Sequence, residues 1–307
     1  MGQASQGAQA TMCAEPGGSP HTFDGSSEAI EFRHERVRKH GRLVIPHDIR
    51  GTRSRPKERV RTGAYKVIGP FSVNPSPLFL ANWLPRILGA AAVGNTFSLA
   101  ETLPAFGLLI NRVNETFEYT DCYVNRALFR GRASRDPERE APQPVELVIE
   151  VVGKTEVTGT ADPGLTLGVA AADAPYIFED ADSGLTLQSA ARDFMAFELL
   201  IDNFLDPRFT NSLTATSITP QDRLIHLKTT HPYTSDESAL YAQSLAGAAG
   251  SLVFTNGSYS CTFTFGVVQV PPVSPFVAGK REIVLDLDNS IHRSGGTDEL
   301  VVTNVSS

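Results

Sequence analysis

Few residues of the chain have the types and the spacing that enzyme chemistry requires. No Gly-x-Ser-x-Gly run is present to hold a nucleophilic serine at a strand-to-helix turn. The run Gly153-Lys154-Thr155 ends like a phosphate-binding loop, but Val148 stands where that loop needs its first glycine. We interpret this run as the end of a strand. The sequence therefore predicts no catalytic residues and no bound cofactor.

Potential metal ligands are also poorly spaced. The three cysteines, Cys13, Cys122 and Cys261, share no Cys-x-x-Cys spacing and have no histidine neighbours at the separations of a zinc site. His34 and His40 lack the one-turn spacing of a helical zinc-binding pair. The sequence therefore predicts neither a metal site nor a disulfide framework.

The overall composition excludes two further classes. Hydrophobic residues make up 41% of the 307 residues and charged residues 20%, which is too apolar for a chain disordered throughout. No apolar stretch approaches the roughly 18 residues of a membrane-spanning helix, and the first residues lack a signal-peptide pattern. We expect a soluble protein that is not exported, long enough for two ordinary cores.

The charges are unevenly distributed along the chain. The net charge is −7, but residues 28–66 contain twelve basic and five acidic side chains, so this segment carries +7 and the remainder −14. Three interpretations remain open. The segment docks on an acidic face of a neighbouring copy, it binds nucleic acid, or it is a solvated loop.

Most elements that would position these residues are predicted to be strands. The pattern predicts one helix from the N-cap Ser76 and Pro77 to Gly89, kinked or ended near Pro85, and a second over 234–247. Asn256-Gly257 predicts a tight hairpin. Apolar runs predict strands over 42–49, 64–73, 105–113, 116–131, 144–152, 223–229, 251–255, 258–270 and 281–288.

The order of these elements repeats in the two halves of the chain. Strand, helix, hairpin and strand occur twice, which predicts a mainly β fold of two tandem domains, each with one helix covering a sheet. The predicted parts are a flexible arm over 1–27, a first domain over 28–160 with a basic loop at 50–62, a connecting segment over 161–192, a second domain over 193–290 and a tail over 291–307.

Several of these runs resemble one known family. GTR at 51–53, AYKVIGPFSVNPSP at 64–77, LPRILG at 84–89, FEYTDCYVN at 117–125 and LIDNFLDPRF at 200–209 resemble the tail tube proteins of long, non-contractile-tailed bacteriophages. The likeness covers about residues 40–290. It implies a β-sandwich or barrel-like tube fold with a flanking helix, which the internal repeat would place twice in the chain. It also implies a structural virion protein that forms stacked rings, and so a hollow tail tube for double-stranded DNA.

The resemblance also implies partners. These are other copies of the chain, in rings of three chains with pseudo-hexameric symmetry or of six chains, other phage tail proteins, and DNA that passes without specific binding. No membrane is expected, and the protein would be in the host cytoplasm before assembly and in the virion tail afterwards. The basic loop resembles the loop by which such proteins reach an adjacent ring. Its contact candidates are Arg50, Arg53, Arg55, Lys57, Arg59 and Arg61, and their candidate partners on another copy are Asp180, Asp182 and Asp286.

Two alternatives belong to other functional classes. The first is a tandem β-sandwich module that recognises a glycan or a protein through loops such as 134–144. The second is an enzyme whose site the known motifs do not reveal. A stable monomer with ligand-binding activity would favour the binding module, whereas rings or tubes would favour the virion protein.

Overall fold

The computed structural model describes residues 7–45, 53–54, 57–134, 141–180, 183–234, 247–275, 277 and 283–306. Within these residues the fold is mainly β, with one α-helix, α1, over Pro77–Leu88. The strands of the first half are β1 Thr11–Pro16, β2 Glu28–Ala29, β3 His34–Glu35, β4 Arg38–Val44, β5 Arg61–Val73, β6 Thr96–Ser98, β7 Phe106–Asn111, β8 Thr116–Arg132, β9 Glu146–Gly153 and β10 Thr155–Thr158. Those of the second half are β11 Gly184–Leu187, β12 Ala190–Arg192, β13 Ala196–Asp202, β14 Leu205–Arg208, β15 Ser217–Pro220, β16 Leu224–Pro232, β17 Ala248–Asn256, β18 Tyr259–Gln269, β19 Val284–His292 and β20 Leu300–Val305.

The strands form two facing layers, and every strand pair of the described residues is antiparallel. The first layer has the order β4-β5-β9-β8-β13-β16-β19. The second has the order β6-β20-β18-β17-β11-β12, and the pairing of Val267 with His292 joins it to β19. The first half of β8 also pairs with β7 and β10, and β7 continues this side sheet through β1 to β2. The arrangement is a β-sandwich with a side sheet.

The core lies between the two layers. Phe129 of β8 meets Phe263 of β18 edge-on, with 5.0 Å between ring centroids, and Phe197 of β13 lies 5.2 Å from Phe254 of β17. Alternating burial along these strands explains the layers, because one side of each strand is apolar and faces inward. The main cluster of buried residues contains side chains from both halves of the chain.

The two halves thus share a core, whereas the sequence predicted a separate core for each. The cause is the pairing of β8 with β13, which joins strands of the two halves over seven residue pairs from Arg132–Ala196 to Arg126–Asp202. A residue pattern shows which face of a strand is buried but not which strand lies beside it. The duplication and the domain boundaries stay predictions.

Helix α1 closes one side of the sandwich where the sequence predicted it. The Ser76 side chain accepts a hydrogen bond from the Phe79 N–H at 3.1 Å, and Pro77 is the first helical residue. The helix continues past Pro85 and ends at Gly89, whose φ of +102° suits glycine. Trp83 is buried on its inner face. The predicted second helix over 234–247 falls almost wholly on 235–246, outside the described residues.

Most predicted strands are confirmed, although their ends differ. Each of the nine predicted ranges overlaps a strand, and Asn256 pairs with Tyr259 across a two-residue turn as predicted. The first range, 42–49, is the least accurate, since the strand there is Arg38–Val44 and residues 46–49 lie outside the described residues. Strand β13 was not predicted, although it lies in the middle of the first layer.

The two ends of the chain are more ordered than the sequence predicted. The predicted flexible arm over 1–27 contains β1, which pairs with β7 along its full length and buries Met12, Cys13 and Ala14. The predicted flexible tail over 291–307 contains β20, which lies between β18 and β6. The expectation for the arm was wrong for β1, and the expectation for the tail was wrong for 303–305, because the sequence had set only Leu300–Val302 apart from the flexible tail. A short run of apolar side chains is enough where an existing sheet supplies the hydrogen bonds.

Candidate assembly surface

The basic segment folds mainly as a hairpin on the edge of the first layer. Strand β4 pairs with β5 from Arg38–Ile68 to Val44–Arg61, and the connection between them contains the basic loop. Every residue of β4 is exposed. The side chains of this strand therefore contribute nothing to the core of the chain and are available to other molecules. We call residues 38–66 the basic hairpin.

Four of the six contact candidates lie in the described part of the basic hairpin. Arg53, Lys57, Arg59 and Arg61 are all exposed, and Arg61 begins β5 opposite Val44. Residues Lys57–Arg59 form a single 3-10 turn. Arg50 and Arg55 lie outside the described residues. The structure thus brings these side chains to one exposed segment, but no contact with another copy tests their predicted role.

The base of the basic hairpin is held by contacts that the sequence did not indicate. The Lys39 ammonium lies 3.9 Å from the centre of the Tyr65 ring, and the Tyr65 N–H donates to the Leu213 carbonyl at 2.9 Å. Leu213 belongs to the connection of the β14–β15 hairpin. A Cβ on Gly63 would lie 2.6 Å from the Arg42 carbonyl oxygen, so a glycine lets the two strands approach.

A bidentate ion pair fixes the start of β4 to the side sheet. The Arg112 guanidinium donates to both oxygens of Glu35, at 2.8 and 2.9 Å, and to the Val37 carbonyl. The Tyr119 hydroxyl donates to the same carbonyl at 3.0 Å. The carboxylate of Glu35 is the main cause that raises the pKa of Arg112 above its usual value. These contacts set the direction in which the basic hairpin leaves the sandwich.

The candidate acidic partners lie toward the other end of the sandwich. In β9, Gly153 pairs with Val67 near the basic hairpin, whereas Leu147 pairs with Val73 farther from it. The Glu179 carboxylate accepts the N–H groups of Ser134, just after β8, and of Gln143, just before β9, so the adjacent Asp180 belongs to that distant end.

Asp286 lies toward the same distant end. It is exposed and pairs with Thr230, which faces Ala196, the partner of Arg132 at the end of β8. The candidate bases and the described candidate acids are thus well separated within one chain. The third candidate acid, Asp182, lies outside the described residues.

A row of alternating charge crosses the outer face of the first layer. The paired residues are, strand by strand, Glu146, Arg130, Glu198, Lys228 and Asp288. Arg130 donates to Glu146 at 2.8 Å, and the Lys228 ammonium lies 3.8 Å from Asp288. Such exposed pairs add little stability, about 0–1 kcal/mol each. Their effect is that Arg130 and Lys228 on this face already have carboxylate partners within the chain.

Comparison with known protein families agrees with this mainly β, motif-poor fold. A family model described as phage tail tube protein matches residues 40–291, most of the chain. The chain belongs to the phage tail tube family. The family resemblance expected from the sequence is therefore confirmed, and this tail tube protein is a structural component of the virion tail. No protein with a curated description matches the chain.

The three cysteines of this tail tube protein are poorly placed for nucleophilic chemistry. All three cysteines are buried and unpaired, and burial, with Asp162 and Glu15 adding to it, raises the pKa of the Cys13 thiol to about 12. Burial likewise raises the pKa of Cys122 and Cys261. These thiols remain protonated and unreactive near neutral pH. In the described part of the chain, no group of three or more acidic, histidine or cysteine side chains could hold a metal ion, and no helix could span a membrane.

Proposed function

We propose that the chain assembles head to tail into stacked rings that form the hollow tail tube, and that it has no catalytic role. One observation carries this proposal. The basic hairpin lies at one end of the sandwich, and Asp180 and Asp286 lie toward the other. A molecule with opposite charges at its two ends favours contacts that repeat in one direction, which is what stacking requires.

The shared core supports rings of six chains over rings of three. Pseudo-hexameric rings of three chains place two tube units in each chain. The buried residues of both halves instead form one main cluster. This single core favours one tube unit in each chain, so that six chains complete a ring. Mass measurement of isolated rings distinguishes the two, because six chains of 33.1 kDa weigh twice as much as three.

The charge balance supports the passage of double-stranded DNA. Outside residues 28–66 the chain carries −14, and Arg126 and Arg130 on the outer face of the first layer are paired with Asp202 and Glu146. Each unpaired basic side chain that lined the channel would attract the DNA phosphates and oppose movement of the duplex. An acidic wall lets the duplex move without specific binding. The protein would fold in the host cytoplasm and then enter the virion.

Electron microscopy of the purified full-length chain tests the proposal. We expect negatively stained rings or tubes with a central channel. They should form in one of two conditions, with the chain alone or after other tail proteins are added. The proposal is overturned if the protein stays a globular monomer at high concentration in both conditions. Binding of a glycan or protein ligand by that monomer would instead support the alternative binding module.

A further inference from the structure

The end of β4 carries an exposed apolar run within the basic hairpin. Leu43 is 62% exposed, Val44 52% and the following Ile45 37%, and Arg42 precedes them. Large apolar side chains in water are unfavourable by about 25 cal/mol per Å² of apolar surface. Three such side chains in succession, at the end of a strand whose residues are all exposed, favour burial against another molecule. We call Leu43–Ile45 the apolar tip.

A groove suited to such a segment lies on the side sheet. It has a volume of about 350 Å³ and runs between β1, residues 29–33 and the segment 162–167. Its apolar lining includes Met12, Ala29, Leu109, Leu165 and Leu167. Leu167 is 44% exposed at its border. We call this cavity the side groove.

The border of the side groove is acidic. Glu31 and Asp162 line it, and Asp173 lines a smaller cavity that continues it past Leu167. Partial burial favours the neutral form of Asp162, but hydrogen bonds from Thr11, Asn111 and Gly164 outweigh this and lower its pKa. The basic group in the lining, Arg33, has a guanidinium nitrogen 3.5 Å from Glu146. The border therefore presents negative charge to an incoming segment.

We propose that the side groove of one chain binds the apolar tip of a second copy. The apolar side chains of the tip match the apolar floor of the groove. The basic residues around the tip, beginning with Arg42, match the carboxylates at the border of the groove. The pairing of β4 with β5 holds the tip exposed in its own chain, so another copy must supply the groove. This contact rests on the proposed self-assembly and names the surface that receives the apolar tip.

A pair of exposed valines tests the role of the apolar tip. Val44→Asp places a charge in the tip, whereas Val93→Asp makes the same change at a valine that is 82% exposed and outside both surfaces. Neither change affects the core, so both variants should fold. We expect Val44→Asp to raise the concentration needed for assembly at least roughly tenfold, and Val93→Asp to leave it unchanged.

Crosslinking identifies the receiving groove directly. The natural cysteines are buried, so Val44→Cys and Leu167→Cys each introduce one accessible thiol. We expect a short bis-maleimide to join the two variants when they are mixed, and to join neither to Val93→Cys. If wild-type tubes form but Val44→Asp assembles normally and no crosslink appears, the side groove is wrong and the tube function stands. If the wild type does not assemble and the mixed Val44→Cys and Leu167→Cys variants do not crosslink, both proposals are wrong.

Discussion

Single residues determine how the basic hairpin is attached. Arg112 joins Glu35 and Val37, just before the hairpin, to Tyr119 of the side sheet. This contact depends on the planar guanidinium, which can bind two carboxylate oxygens and a carbonyl together. Asp121 similarly holds the N-terminal segment, since its carboxylate accepts the Ser19 N–H at 2.9 Å and lies 3.2 Å from the Lys154 ammonium.

Arg112→Lys should destabilise the fold. A lysine keeps the charge but loses the bidentate contact, so we expect the free energy of unfolding to fall by about 1.5–3 kcal/mol. Chemical denaturation measures this loss. The control is Arg132→Lys, at an exposed arginine at the other end of β8. Equal stability of the two variants would contradict a structural role for the Arg112 contacts.

Acid should release the segment held by Asp121. Partial burial alone would raise the pKa of this carboxyl, but the Ser19 N–H and Lys154 lower it below its ordinary value of 3.8. A lowered pKa in the folded state stabilises the protein above the unfolded value, and this contribution is lost as the pH falls through the folded value. We expect hydrogen exchange at residues 17–21 to increase below about pH 4. Asp121→Asn should remove this pH dependence, whereas the exposed Asp206→Asn should retain it.

Helix α1 shows how one element depends on both local sequence and packing. Its start needs only Ser76 and Pro77, which are adjacent in sequence. Its end also depends on distant residues, because a Cβ on Gly89 would lie 2.6 Å from the Thr102 carbonyl oxygen and 2.9 Å from the Ala100 side chain. The helix therefore has little space to shift along the sandwich.

Alanine substitutions at two glycines distinguish the cost of backbone strain from the cost of crowding by neighbouring atoms. Gly89 and Gly94 both have positive φ, of +102° and +62°, but a Cβ on Gly94 would meet nothing within 4 Å. We expect Gly94→Ala to cost about 1 kcal/mol of stability from backbone strain alone. Gly89→Ala should cost about 1–3 kcal/mol more, since neighbouring backbone must move. Thermal denaturation of the two variants measures the difference, and equal losses would contradict the packing argument.

At the scale of the whole molecule, the separation of charge is the feature that links the fold to assembly. A net charge of −7 conceals a basic segment of +7, which the fold places mainly on one exposed hairpin. Contacts between exposed charges weaken as salt increases, so assembly should be weaker at high ionic strength. Apolar contact at the tip would retain part of the affinity.

Charge reversal of the basic hairpin should prevent assembly without unfolding the chain. In Arg53→Glu/Arg59→Glu/Arg61→Glu the altered residues are exposed, so we expect normal circular dichroism but no tubes in negative stain. The control reverses two other exposed arginines, Arg208 and Arg293, which lie outside the basic hairpin. Loss of DNA binding with unchanged assembly would contradict the docking role and favour a nucleic-acid contact.

Local patterns predicted many of the elements. Alternation predicted β8 and β18, and capping residues predicted α1, because these signals act between residues close in the chain. The same signals predicted a basic exposed segment but not the apolar tip, whose residues look like an ordinary strand end in sequence. They also missed β1, a short strand that forms only because β7 provides its partner.

The sequence by itself determined a mainly β fold, one capped helix, a basic segment on an acidic chain and the likeness to tail tube proteins. Tertiary structure decided that β8 joins β13, that both halves share one core, and that the candidate bases and acids lie toward different ends. The reason is physical. Propensity, capping and alternation depend on neighbours in the chain, whereas strand partners and surface positions depend on contacts between residues many positions apart.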